Sequence, residues 1–567
     1  MTISTHDYAA TLLVGAGHAL SPRGGRVTMD EGWSPHVQAE LTIPIPAQTV
    51  QELIDPRQPR RVKISCAANY TPAQSRVFDL GLRDRQIDHE AGEMTLSLAS
   101  DEALLQDDVW LATAPNTAAL AYQSSLRSII NNVVLSRIGA ALQPGAADSS
   151  FYVLTDSTNL FTNPTAQIDT TDTTSQGLTN LVRQTGVVPG SHGTGFRLNG
   201  AAATGDSAMM IGGDSGALRN GMQAGKTYTV SGIFMISAAM AGTAVAQARR
   251  IVAYTRVGSG SYVTTSSAQA PNAAGNTRLS VTFTVPPGAT EAFVRFYHGH
   301  ASTASCYWID LRLSEGTETA YFDGDTADTA DYGYNWTGAA GKSTATRTAL
   351  VDRSPELLNW KPGESAWDFV QPLFQAAALR LFCDEARKWW LVDGSYIASG
   401  QTQLSTAKNL TKAVDQISRD DDDWFDAALF IYRWRDSTGA AQEAIDWYAE
   451  PGRSRVRTFI LERAYPGPGA ARYAVKRAAG RGRTLDVSAV SQYAVKPTQP
   501  VTVTLPATPI QTGVVASVAW DLATDEMAVK TRGLTDTPPT AWIFLPAGTS
   551  WLASPPGGSW LSETIGA

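Results

Sequence analysis

The residues that could do chemistry are thinly spread along this chain of 567 residues. A serine nucleophile needs a histidine base and an orienting acid. Ser215 lies in Gly213-Asp214-Ser215-Gly216, but Ala217 follows where a further glycine would open the loop, and His192 sits in the glycine-rich run Ser191-His192-Gly193-Thr194-Gly195 rather than in a histidine motif. His298-Gly299-His300 supplies two imidazoles with no third ligand at helical or hairpin spacing, which falls short of a zinc site. The acidic run from Asp420 to Asp423 reads as a solvated turn, with an acidic calcium clamp as the alternative. A glycosidase needs two carboxylates held across a cleft, a pairing that sequence neither establishes nor excludes. The expectation is a chain that is not an enzyme.

Composition sets the class. Hydrophobic residues make up 43%, with 48 Gly, 29 Pro and a formal net charge of -8, a balance that suits several β-rich domains. The mildly acidic charge argues against a general nucleic-acid binder. Fifteen tryptophans are many for this length and suit interfaces and sugar-stacking surfaces. Cys66, Cys306 and Cys383 are far apart and odd in number, so they carry neither a disulfide framework nor a zinc spacing, and a reducing, cytosolic site of assembly is expected. Met1 to Ala10 lack the pattern of a secretory signal, and no apolar run reaches the roughly 20 residues of a membrane span.

The elements that must position any site are mostly strands. Val37 to Ile45, Arg61 to Cys66 and Met94 to Ala99 alternate apolar and polar residues, with turns at Asp55-Pro56-Arg57 and Glu90 to Glu93 between them, which predicts a small antiparallel barrel or sandwich. Leu120, Leu126, Ile129, Ile130, Val133, Val134, Ile138 and Leu142 recur at three- and four-residue spacing and predict a helix from about Thr117 to Leu142, packed between domains or lining a trimeric coiled-coil seam.

From Asn159 to Thr348 the composition shifts to Gly, Ala, Ser and Thr. Thr227 to Met235, Arg250 to Tyr254, Arg278 to Val285 and Ala292 to Tyr297 read as sandwich strands. Beyond it, Trp367, Val370, Phe374, Ala377 and Leu381 keep a helical period that Pro372 should kink or delay, before a strand, turn and strand from Leu379 to Val392. Two hairpins follow, Leu429 to Trp434 with Glu443 to Tyr448, and Val514 to Leu522 with Met527 to Arg532, separated by a helix from Gly469 to Ala479. The basic cluster Gly480-Arg481-Gly482-Arg483 suits a solvated helix end, or a phosphate contact. Trp542, Trp551 and Trp560 are nine residues apart, and Ser550-Trp551-Leu552 recurs as Ser559-Trp560-Leu561, a pattern fit for an assembly arm docking on a neighbouring subunit.

Two sets of motifs carry a resemblance. Asn159-Leu160-Phe161-Thr162-Asn163-Pro164, paired with Tyr321 to Asp325, Tyr334 to Gly338 and Ser343 to Thr346, resembles the two ends of a carbohydrate-binding-like jelly-roll module inserted in tail proteins of long-tailed bacteriophages. Trp33 to Ala39, Asp55-Pro56-Arg57 and Ser100 to Leu105 look like the N-terminal barrel of tail-hub minor tail proteins of such phages, related to baseplate hubs. The resemblance implies a mainly β, multidomain chain of hub-type β-barrels with packing helices and an inserted β-sandwich jelly roll.

Its division would be an N-terminal hub barrel over 1–115, a helical connector over 116–155, the inserted jelly roll over 156–348, a second hub region with barrel and helices over 349–534, and a Trp- and Pro-rich assembly arm over 535–567. The implied role is a structural minor tail protein forming the homotrimeric hub of the tail tip, assembled in the host cytoplasm. Its partners would be the distal tail and other tail-tip proteins, the tape measure protein and host cell-wall glycan, with viral DNA only as passing cargo.

The resemblance also implies site residues. Cys306 to Leu313 matches the last core strand of these modules, whose aspartate often holds a structural calcium, which makes Asp310 the metal candidate. Gln167 stands where the family commonly has a glutamate ligand, and an amide is the weaker ligand for a hard cation. No cofactor is required, and a structural calcium in the inserted module is the one candidate. Tyr254, Tyr262, Tyr297 and Trp336 are the glycan-stacking candidates. The alternatives are a free-standing glycan-binding adhesin and a cell-wall hydrolase.

Overall fold

A computed structural model describes residues 5–70, 72–201, 205–329, 331–418, 424–436 and 438–537. The assembly-arm tryptophans Trp542, Trp551 and Trp560 and the acidic run Asp420 to Asp423 lie outside the described residues. The chain is mainly β and divides into two units, one of residues 1–153 with 353–567 and the other of residues 154–352.

The outer unit, built from both flanks, is organised around a 13-stranded sheet among the described residues. From the N-terminal flank, Arg61–Ala68, Gln74–Asp88, Glu93–Ala99, Val37–Pro44 and Gly24–Asp30 follow one another in antiparallel order. Gly24–Asp30 then pairs with Ile510–Asp521, with Val27 opposite Trp520, and Glu526–Thr537, Arg483–Val490 and Leu410–Ile417 continue the sheet. The alternation that marks these strands in the sequence puts Val27, Leu41, Leu96, Leu485, Val518 and Trp520 into one core drawn from both flanks. Two further bridges, Val109 with Ser365 and Asn116 with Trp360, tie the segment before the insertion to the segment after it.

The helix expected from Thr117 to Leu142 is instead a series of short turns. Ala118–Tyr122 is 3-10, Leu126–Ile129 α, Ile130–Val134 π and Leu135–Ile138 3-10, ended by Gly139 at φ 67°. Leu126, Ile129, Ile130, Val133 and Val134 keep the spacing of one helix face, and the changes of pitch let Leu135 join them in a local core with Trp360, Phe369 and Trp389. These side chains are used up inside the unit, so no seam remains for a coiled coil. The side chain of Asn131 accepts the Leu142 N–H at 2.8 Å, which closes the segment back on itself.

Pro372, expected to kink or delay a helix, lies inside Ala366–Ala376. A proline leaves the carbonyl four residues earlier without its donor; here that Asp368 carbonyl accepts from Arg463 Nη1 at 2.9 Å. Ser365 caps the start, accepting the Asp368 N–H at 3.0 Å. A further helix, Ala470–Ala478, packs on the three-stranded sheet of Ala427–Arg435, Ala441–Ala449 and Val456–Leu461 through Phe430, Tyr432, Ala471 and Val475.

The inner unit is a sandwich of two five-stranded antiparallel sheets. One holds Leu178–Thr185, Thr194–Gly200, Ser305–Glu315, Thr227–Ile236 and Gly275–Thr284; the other holds Val263–Ser266, Ile251–Val257, Ala289–Tyr297, Ala208–Ile211 and Thr173–Gln176. Between them Trp308 meets Phe234 and Phe296 edge-on at 5.1 and 5.2 Å between ring centres. The unit's two ends lie side by side, because Ser157–Asn159 pairs with Ala345–Ala349, which pairs with Tyr332–Trp336.

Candidate functional site

Alternation along Ala289–Tyr297 and Ile251–Val257 sends Ala292, Val294, Phe296, Ile251 and Ala253 into the sandwich core and leaves their neighbours on the opposite face of the same sheet. That face collects Tyr254, Phe293, Arg295 and Tyr297. The rings of Tyr254 and Phe293, opposite each other in the ladder, stack at 4.9 Å and 3°, and the hydroxyls of Tyr254 and Tyr297 are 2.7 Å apart. Tyr262 stands edge-on to both Tyr254 and Phe293, at 6.0 and 5.5 Å.

Two ion pairs frame the rings. Arg295 donates to both oxygens of Asp214, at 3.2 and 2.8 Å, and its guanidinium lies 5.1 Å from the Tyr254 ring. Glu291 accepts from Arg256, from the Gly216 N–H at 2.8 Å and from the Tyr262 hydroxyl at 2.6 Å. The Gly213 to Gly216 turn, read in the sequence only as a serine neighbourhood, therefore clamps onto the sheet through its aspartate and its backbone. Burial and the bond to Tyr297 push the Tyr254 phenol above its usual range.

Three of the four glycan-stacking candidates thus come together, and their exposures differ. Tyr297 is 2% exposed and belongs to a small core with Ala208, Met210 and Val252, so its ring has no open face, whereas Tyr254 and Tyr262 are half-buried at the rim. Trp336 lies elsewhere, on the strand Tyr332–Trp336. There its ring covers Gly324, where an added Cβ would come within 2.3 Å, and its Nε1 donates to Asp325 at 2.9 Å. Phe293, Arg295, Asp214 and Glu291 were missed as a group, although the alternation around Phe293 and Arg295 carries the signal that they share a face with Tyr297.

Asp310, the metal candidate, is 6% exposed and adopts φ 50°. Its oxygens accept the Ser191 N–H, at 3.1 Å to each, and the Ser191 hydroxyl at 2.8 Å. Burial raises its pKa, and the bonds from Ser191 work against that rise. Gln167 donates its side-chain amide to Asp325 at 2.9 Å. Among the described residues no group of three His, Cys, Asp or Glu side chains is placed to hold a metal ion. The Ser191 donors satisfy the Asp310 carboxylate in this structure. Removing divalent cations with a chelator is therefore expected to shift the melting temperature of the inner unit by less than about 2 °C. A larger fall, reversed by adding calcium back, would assign Asp310 a metal.

The remaining sequence motifs are held in local contacts. Asp323 accepts from the Tyr321 hydroxyl at 2.6 Å and contacts His192 Nε2 at 2.5 Å, which latches the Ser191-His192 loop to the closing motif. In the outer unit, Arg483 pairs with Asp415 and Asp536, each at 3.0 Å.

No family model and no curated protein matches the chain. Among solved structures it is similar to a tail protein from Neisseria meningitidis MC58, at 8% identity over 93% of this chain and 96% of that one, with a TM-score of 0.39. It is also similar to the 43 kDa tail protein of prophage MuSo2 from Shewanella oneidensis, at 10% identity over 92% and 98% of the two chains and a TM-score of 0.38. A family 16 carbohydrate-binding module aligns at 18% identity over 27% of this chain and 99% of its own, with a TM-score of 0.22. At these identities and TM-scores the likenesses assign this chain no function.

Proposed function

We propose that the chain is a structural protein of a long-tailed phage, and that it forms the homotrimeric hub of the tail tip. The observation that carries the reading is one 13-stranded sheet, with its core, to which both flanks of the inserted sandwich contribute strands. An independent adhesin would have no use for such an interrupted host fold. The hub-like motifs support the same reading. Glu102 accepts N–H groups of His36 and Cys383 at 3.1 and 2.9 Å, and Asp101 accepts from Arg61 and Arg387 at 2.6 and 2.8 Å, so residues of one flank's motif hold residues of the other flank.

In this role three copies, each with a sheet built from both flanks, would close into a threefold ring against a tail tube above. The distal tail, tape measure and other tail-tip proteins would be its neighbours, with DNA passing through the ring. The inserted sandwich would meet host-surface glycan at the rim formed by Tyr254 and Tyr262. A hydrolytic role for that face is disfavoured by Asp214 and Glu291 each being held by an arginine on the sheet rather than free to meet a glycosidic bond.

Light scattering after size exclusion tests the proposal. Three copies of the 60.5 kDa chain are expected in one particle. A strict monomer, alone and in the presence of the adjoining tail protein, would discard the hub and bring the glycan-binding adhesin forward.

A further inference from the structure

In the outer unit, two adjoining cavities of about 470 and 360 Å³ share Glu31, Arg380, Tyr473 and Arg477 in their walls. Arg380 opens the strand Arg380–Cys383, just after Ala378 at φ 55°. Its guanidinium lies 4.4 Å from the centre of the Phe382 ring, and among the described residues the polar atom within hydrogen-bond distance of it is His36 Nδ1 at 3.2 Å.

That neighbour is no acceptor. His36 Nδ1 is 2.6 Å from the Asp30 carbonyl, a separation that requires the proton to sit on Nδ1, so the contact with Arg380 joins two donors. Among the described residues the Arg380 guanidinium therefore has no hydrogen-bond acceptor and no carboxylate partner. Arg477 donates to the Tyr473 hydroxyl at 3.1 Å and to the Glu31 carbonyl at 2.8 Å, both neutral groups. The carboxylates that line the 360 Å³ cavity are engaged elsewhere, Glu31 with Arg532 and Asp393 with Ser395. Burial, and then the Arg477 charge, pull the Arg380 pKa down to about 10.

A guanidinium kept in a cavity without an acceptor is costly, and the cost is met when an anion enters. Two forks on one cavity can offer more donors than a single planar carboxylate can accept, and a tetrahedral oxyanion matches them. We propose that this cavity is a binding site for a phosphate or phosphate monoester, held between Arg380 and Arg477, with Tyr473 beside it. The volume exceeds a bare phosphate and leaves room for the organic part of an ester.

Calorimetry in phosphate-free buffer at constant ionic strength, with inorganic phosphate and glycerol 3-phosphate as probes, tests the site on the full chain. Saturable binding is expected, weakened by about tenfold or more in Arg380→Met and in Arg477→Gln. Tighter binding of the ester points to a phosphorylated metabolite or polymer, and tighter binding of the free ion to phosphate itself. Arg380→Met is also expected to melt higher than the wild type without phosphate and to lose the rise that phosphate gives the wild type. No saturable binding by the wild-type chain would overturn the proposal, as would equal binding by the wild type and Arg477→Gln.

Discussion

Replacing Asn159 by alanine is expected to lower the stability of the inner unit by about 3–4 kcal/mol, with the melting of the outer unit unchanged. Asn159 is fully buried and makes four hydrogen bonds. Its amide donates to the carbonyls of Leu311 and Phe322 at 3.0 and 3.2 Å, and its oxygen accepts from the N–H groups of Phe161 and Leu313 at 3.3 and 3.2 Å. The side chain thus joins the opening segment, the last long strand of the sandwich and the closing motif. Alanine leaves four buried main-chain groups without partners, and water does not reach them. Differential scanning calorimetry reads the outcome, because the two units should give separate transitions. A loss below about 1 kcal/mol would mean that the ends of the insertion are held by their strand pairing alone.

This asparagine marks how far the sequence can be read. The motifs from Asn159 to Pro164 and from Tyr321 to Asp325 are legible because each residue serves a fixed local purpose. Asn159 stitches strands, Asp323 latches Tyr321 and His192, and Gly324 makes room for Trp336. Strands such as Arg61–Ala68 and Glu93–Ala99 are legible because one side of each faces a core. The strand Leu410–Ile417 carries little such signal, since most of its side chains are exposed on both sides. The broken helix after Thr117 escapes because apolar spacing reports which residues are buried, and a π turn can bury them as well as an α-helix does. Nothing local announces that Gly24–Asp30 pairs with Ile510–Asp521, that Asp214 reaches Arg295 or that Arg380 and Arg477 line one cavity. Those contacts arise only when distant segments meet.

A second large effect is expected at Glu31, where Glu31→Gln should cost the outer unit about 2–3 kcal/mol. The Glu31 side chain is 3% exposed and accepts from Arg532 through both oxygens, with Arg481 4.0 Å away. It follows the strand Gly24–Asp30, whereas Arg532 belongs to Glu526–Thr537, so the pair fastens one flank to the other. Removing one member of a buried pair strands the other charge, and that penalty exceeds the net worth of the pair. Arg532 keeps 28% of its side chain exposed, which lets water recover part of the loss and keeps the expected cost below that for a fully enclosed pair. The double variant Glu31→Gln with Arg532→Met should be more stable than Glu31→Gln alone, because it removes the Arg532 charge that the single variant strands. Urea unfolding of the wild type, of Glu31→Gln and Arg532→Met singly and of the double variant measures the cycle. A single-variant loss under about 0.5 kcal/mol would show that the pair is no tie between the flanks. The same substitution takes a negative charge from the wall shared with Arg380 and Arg477, so phosphate should bind Glu31→Gln more tightly than the wild type and return part of the lost stability.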